Sequence, residues 1–420
     1  MNAKNRFGIL VGGGPAPGIN SVIGAATIRS ALDGADVVGI FDGFKWLMRG
    51  SDQHVVPLTI EDVSRIHFTG GSCLRTSRAN PTTDPASLDR VVQTLTDLGI
   101  TGLITIGGDD TAYSATRVAE RAAGSIRVVH VPKTIDNDLA LPPDSDTFGY
   151  QTARHAGVRV VKTLMTDAQT TARWYFAVAM GRKAGHLALG IGKAAAATIT
   201  LVPEEFGEGS ARLDSIVDTL TGSIIKRLAD GRSDGVAVVA EGVVLGLSEG
   251  QLAVLEGVER DDHGHVRLAE VDVGGILKQG VKARLAAFGI QPTIVAKNIG
   301  YELRCADPIP FDLEYTRDLG FCASRCLSDG GNGLLITMQG GSFVPVPLAD
   351  LLDPATGRMA VRMVDTESTR FRIAQRYMIR LRDRDFDSPR RLEELADVCG
   401  VTAAQFREEF EKVAKPWVAF

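Results

Sequence analysis

"TIGGDDTAYS", residues 105–114, reads as a strand end, a glycine turn and the start of a helix. It joins an apolar run, "TGLITIGG" (101–108), to "TAYSATRVAERAAG" (111–124), whose apolar residues recur three and four apart. A short β-rich run, a glycine turn and an amphipathic stretch predict a strand passing into a helix. The next strand is "IRVVHVPKT" (126–134). Upstream the alternation repeats. "FGILVGG" (7–13) and "DVVGIF" (36–41) are strands, and "NSVIGAATIRSALDG" (20–34) and "SLDRVVQTLTDLG" (87–99) are helices. Such alternation predicts βαβ units around a parallel sheet.

A second series follows. "RWYFAVAMG" (173–181), "ATITLVPEE" (197–205), "GVAVVAEG" (235–242) and "PTIVAKNIGYEL" (292–303) are predicted strands. "RLDSIVDTLTGSIIKRLADG" (212–231) and "LEYTRDLGFCASRCLSDG" (313–330) are predicted helices, with "GNGLLITMQGG" (331–341) a strand after the second. The expected class is α/β, with two Rossmann-like lobes built on parallel-sheet cores. The first lobe is expected over residues 1–150 and the second over 151–305. A return segment and a helical C-terminal extension fill 306–420, where "TESTRFRIAQRYMIRLRDRDF" (366–386) reads as basic helix.

Of the 420 residues, 44% are hydrophobic and 23% charged, an ordinary globular balance. The net charge of −5 offers no basic face for nucleic acid. No apolar run reaches the ~18–20 residues of a membrane span, and the N-terminus lacks a cleavable leader pattern. Five scattered cysteines (Cys73, Cys305, Cys322, Cys326, Cys399) suit a reducing, cytoplasmic setting.

In open α/β sheets, ligands bind beyond the carboxyl ends of the strands, and the unusual residues of this chain lie there. "GGGPAPGIN" (12–20) ends the first strand and opens the first helix. Its glycines permit close approach, and a helix N-terminus presents N–H groups, which suits phosphate. No Gly-Lys-Ser/Thr follows it, and it is not GxGxxG. A tight turn without a ligand is the competing reading. In "GGDD" (107–110), Asp109 suits either Mg²⁺, which takes one or two carboxylates plus phosphate oxygens, or a helix N-cap. "PKTIDND" (132–138) interleaves Lys133, Thr134, Asp136 and Asp138 with Ile135 and Asn137. It offers a cation for phosphate, a hydroxyl, and two close carboxylates able to divide base and positioning roles; the alternative is a polar loop. "MGRKAGH" (180–186) supplies Arg182, able to grip an anion through two parallel N–H bonds or simply to face water. His186 reads as a surface or hydrogen-bonded histidine. "AEG" (240–242) and "GYELR" (300–304) add Glu241 and Arg304.

In this order, "GGGPAPGIN", "GGDDT", "PKTIDND", "FGYQTA", "MGRKAG", "AEG" and "YELRCADPIPFD" resemble the phosphofructokinase family from about residue 7 to at least residue 320. The chain is most similar to its pyrophosphate-dependent branch. ATP-dependent members typically have glycine where this chain has Asp110 and Lys133. The resemblance implies reversible phosphoryl transfer from pyrophosphate to O1 of fructose 6-phosphate, in glycolysis and gluconeogenesis. It implies that Gly13 contacts the donor, that Asp109 holds Mg²⁺, and that Asp136 accepts the hydroxyl proton with Thr134, Ile135 and Asp138 beside it. Asp110 would stand where the α-phosphate of ATP lies, and Lys133 would neutralise pyrophosphate. Met180, Gly181, Arg182 and Glu241 would bind the sugar phosphate, with Tyr301, Glu302, Leu303 and Arg304 at its far end. Arg173 matches an arginine that in the family reaches a neighbouring subunit, which implies a homodimer or homotetramer with shared sites. An ATP-dependent 6-phosphofructokinase and a non-catalytic regulatory subunit are the alternatives. An NAD- or lipid-kinase-like fold shares Gly-Gly-Asp turns but lacks "PKTIDND" with "MGR". Pro15 replaces an acid of many members. Leu313 replaces a frequent arginine, which leaves Arg317, or Tyr377 and Arg380, as candidates to complete the sugar-phosphate end.

Overall fold

Parallel strands covered on both faces need unbroken apolar runs, and the first strand has one: Phe7, Ile9, Leu10 and Val11 are fully buried. The computed structural model describes residues 5–142, 145–206, 211–245 and 271–416. Among these, the chain divides into two compact units. One holds the residues up to Ala153 together with Tyr301–Arg362; the other holds Arg154 to Gly300 and the chain from Met363 onward.

The first unit opens with strands β1 (Arg6–Val11), β2 (Asp36–Ile40), β3 (Val55–Pro57), β4 (Gly102–Gly107), β5 (Arg127–Thr134) and β6 (Phe148–Gly149). The second contains β7 (Trp174–Ala179), β8 (Ile199–Leu201), β9 (Gly235–Ala240) and β10 (Ile294–Ile299). On its return to the first unit the chain adds β11 (Leu334–Leu335), the hairpin β12 (Met338–Gln339) and β13 (Ser342–Phe343), and β14 (Val346–Pro347). Among the described residues, the first unit's sheet has the order β14–β11–β5–β4–β1–β2–β3, with β6 also paired to β5. Its interior pairs are parallel, and its edge strands β3 and β14 are antiparallel. The second unit's sheet, β10–β7–β9–β8, is parallel throughout. Both units are therefore α/β with parallel-sheet cores.

The two-residue pleat sorts the first unit's core into two layers. Phe7, Ile9, Val11, Ile104, Ile106 and Val129 pack with the helices Ile19–Leu32 and Pro310–Ser328. Leu10, Val38, Ile40, Leu103 and Val128 pack with the helices Pro85–Asp97 and Asp109–Ala122. The first helix pair lies unusually close. A Cβ at Gly320 would stand 2.5 Å from the Val22 carbonyl oxygen, and the Ser30 and Ser324 hydroxyls meet at 2.6 Å.

Several elements differ from expectation. The strand expected over 292–303 ends at Ile299, and Tyr301–Arg304 forms one helical turn instead. Of 331–341, only Leu334–Leu335 joins the main sheet. The rest folds into a hairpin because Gly340 and Gly341 both take positive φ. The basic stretch 366–386 is helical only over Thr369–Tyr377 and Asp383–Asp387. Between them the backbone extends and Ile379 donates to the Thr198 carbonyl at 2.8 Å. The helices Tyr150–Thr171, His186–Ala195 and Val273–Ala286 were not foreseen. No described helix is long and apolar enough to cross a membrane.

Candidate active site

In the first unit, β1 lies between β4 and β2. The chain leaves β1 for one neighbour and reaches the other later, so a topological switch point opens at the carboxyl ends of β1 and β4. The two glycine loops foreseen from sequence meet there. Thr111 packs against both: a Cβ at Gly12 or at Gly107 would collide with its side chain. Gly13 has φ +77 and donates to the Ser77 carbonyl at 2.8 Å, while the Thr76 hydroxyl donates to the Gly13 carbonyl. Gly108 is the N-cap of the following helix, so Asp109 is not the cap; Asp109 and Asp110 occupy the first turn, where the helix dipole favours negative charge.

Lys133, near the end of β5, is 4% exposed, and its ammonium donates to the Gly14 carbonyl. Burial pulls its pKa down from the usual lysine value to about 8; Asp136 and Asp109 oppose this, and Arg304 and Arg78 reinforce it. A Cβ at Gly14 would lie 2.9 Å from Nη1 of Arg304, whose guanidinium stacks 4.5 Å over the Tyr301 ring. Tyr301 and Glu302 are exposed and Leu303 is buried. Tyr301 and Arg304 thus belong to the unit of Gly13 and Lys133. The cluster combines three cations with the carboxylates of Asp109 and Asp136, a pattern suited to an anion carrying several charges.

The "PKTIDND" loop is held tightly. Ile135, Asp136, Asn137 and Asp138 are all buried. Asp136 N–H donates to the Thr134 hydroxyl at 3.0 Å. Asn137 sits at φ +56; its amide donates to Asp146 at 2.8 Å and accepts from the Thr147 N–H at 3.0 Å. The "FGYQTA" stretch is pinned by Asp312, fully buried, which accepts from the Gly149 N–H at 2.9 Å and the Thr152 N–H at 2.8 Å.

The second unit builds its own cluster. Met180 N–H donates to the Ile299 carbonyl at 3.1 Å. One Glu241 carboxylate oxygen accepts the N–H groups of Gly181 at 3.1 Å and Arg182 at 2.9 Å, which holds Arg182 at φ +50. A Cβ at Gly242 would strike the Arg182 carbonyl, and one at Gly300 would lie 2.9 Å from Met180 Cε. Met180, Gly181, Arg182 and Glu241 are therefore one constellation. His186 begins the helix His186–Ala195, and Gly185 N–H donates to Glu204 at 2.9 Å. Arg173 stands 3.9 Å from Asp167 with its side chain one-third exposed. Tyr377 is exposed, whereas Arg380 is buried in an ion pair with Glu205 at 2.6 Å. Leu313 is half-buried and Arg317 exposed on the helix Pro310–Ser328; Pro15 is half-buried in the first loop.

The sequence motifs contain Thr111 and Asp312 without showing their roles, and Arg362 lies outside them; each supports a site loop through contacts with a distant segment of the chain. Among the described residues no three His, Cys, Asp or Glu side chains cluster as a metal cage. Asp109, in the first helical turn, instead suits a hard cation that draws most of its ligands from phosphate and water.

The phosphofructokinase family model matches residues 6–327. The chain belongs to the phosphofructokinase family. A pyrophosphate–fructose 6-phosphate 1-phosphotransferase of Thermotoga maritima is 52% identical over 411 residues, spanning 96% of this chain and 98% of that one. One of Naegleria fowleri is 49% identical over 414 residues, spanning 96% and 95%. The solved pyrophosphate-dependent phosphofructokinase of Marinobacter aquaeolei aligns with TM-score 0.66 over 94% of this chain and 91% of its own, at 16% identity, which speaks for the phosphofructokinase fold alone.

Proposed function

We propose that this chain transfers a phosphoryl group from pyrophosphate to O1 of fructose 6-phosphate, giving fructose 1,6-bisphosphate and phosphate, reversibly. The observation that carries this reading is the burial of Lys133 against the first glycine loop, beside the Asp109–Asp110 turn. A buried ammonium at a donor loop favours a compact polyanion. Asp110, in the first turn of the helix Asp109–Ala122, disfavours a longer one: two like charges ~4 Å apart repel by about 4 kcal/mol at an effective dielectric of ~20, roughly three orders of magnitude in affinity. The relatives' names support the same donor and acceptor.

Phosphoryl transfer depends on positioning and charge neutralisation more than on covalent chemistry. Gly13 and the loop N–H groups receive the donor, and Lys133, with Arg304, meets its charge. Asp109 would hold Mg²⁺, which, when bound, neutralises phosphate oxygens. Asp136 takes the proton of the 1-hydroxyl, with Thr134, Ile135 and Asp138 holding the loop around it. In the second unit, Met180, Gly181 and Arg182, set by Glu241, bind the sugar phosphate. The five free cysteines agree with a cytoplasmic enzyme, and self-association as a homodimer or homotetramer would bring Arg173 to a neighbouring site.

Asp136→Asn is expected to lower turnover by about 10²–10⁴-fold, the usual worth of a general base, while fructose 6-phosphate still binds by calorimetry. Turnover within tenfold of the unmodified enzyme would remove Asp136 from that role. Initial rates with pyrophosphate and with ATP decide the donor.

A further inference from the structure

Arg362 lies beyond residues 6–327, the span of the family match, yet it grips Asn137, Asp138 and Ser145 from several directions. Its main-chain N–H donates to the Asp138 carbonyl at 2.7 Å. Its Nε donates to the Asn137 carbonyl at 3.2 Å, its Nη1 to the Ser145 carbonyl at 2.9 Å, and its Nη2 to Oδ1 of Asn137. The preceding residue, Val361, bridges Leu139 in antiparallel fashion. The residue so clamped, Asn137, is the left-handed one between Asp136 and Asp138. Its own amide spans the loop to Asp146 and Thr147. A planar guanidinium satisfies three acceptors at fixed angles; an ammonium cannot reproduce that fork.

We propose that Arg362 is a positioning residue for phosphoryl transfer: by clamping Asn137 it holds Asp136 in register with the reacting hydroxyl. The inference rests on the reading of Asp136 as proton acceptor. A displacement of order 1 Å at a reacting group can cost about 10²-fold in rate, so the loss should fall on turnover and not on binding.

The test compares full-length Arg362→Ala, Arg362→Lys and Asp136→Asn, each checked by thermal melting. Arg362→Ala and Arg362→Lys should lose about 10–100-fold in kcat, with KM for pyrophosphate and fructose 6-phosphate within about threefold. Added guanidinium ion should restore part of the Arg362→Ala turnover and none of the Asp136→Asn turnover. A folded Arg362→Ala with near-normal kcat, or a loss confined to KM, overturns the proposal. Should Arg362→Ala not fold, Asn137→Gly keeps the left-handed backbone and removes the clamped side chain; it should show the same loss in kcat, and a normal kcat overturns the proposal. If Asp136→Asn stays active, the reading of Asp136 itself fails. If Asp136→Asn is inactive while Arg362→Ala is normal, only the clamp fails.

Discussion

Lys133 titrates well below an ordinary lysine, at about 8, because burial disfavours its charge. Below that pH the ammonium is charged and attracts a polyanion. Above it, the charge is lost, so the KM for pyrophosphate should rise as pH passes 8. A bound polyanion favours the charged form, so binding near pH 8.5 should take up protons. Calorimetry in two buffers of different ionisation enthalpy reads that uptake, and no uptake would remove Lys133 from the donor site. Lys133 was legible in the sequence as an available cation. Its burial was not, because the glycine loop that covers it lies more than a hundred positions earlier, with Lys133 bonded to Gly14.

Among the elements, the helix Ile19–Leu32 opens directly from the first glycine loop and is held by the helix Pro310–Ser328. Their closeness depends on Gly320, whose missing side chain admits the Val22 carbonyl. Gly320→Val should force the pair apart and cost about 1–3 kcal/mol, as overpacking of a tight interface does. Urea unfolding measures this, and a change under ~0.5 kcal/mol would show that the pair has slack. The strands β1, β4, β5, β7 and β9 were legible because burial on both faces demands continuous apolar runs. The helix His186–Ala195 was not: it contains Gly190 and Gly192, poor helix formers. Gly192 is required by tertiary packing, since a Cβ there would collide with Thr200 on β8.

Across the whole molecule, the chain makes one unit, then the other, then contributes Tyr301–Arg362 to the first and its last segment to the second. If Arg173 serves a neighbour's site, co-expressed Asp136→Asn and Arg173→Ala chains should regain activity in mixed assemblies, because one site then has both residues intact. Random pairing of dimers predicts about a quarter of the unmodified specific activity. No recovery, with mixed assemblies demonstrated by sedimentation and tagged pull-down, would place Arg173 in its own chain's site.

The α/β class, the glycine loops at strand ends and the residue types suited to phosphoryl transfer are readable along the chain, because they follow from local periodicity and from contiguous motifs. Folding alone buries Lys133, sets Glu241 against the Arg182 turn, and lets Asp312 and Arg362 fix loops more than 150 residues away in the chain. A hydrogen bond between distant segments leaves no period in either of them; it exists only once the sheet brings them together.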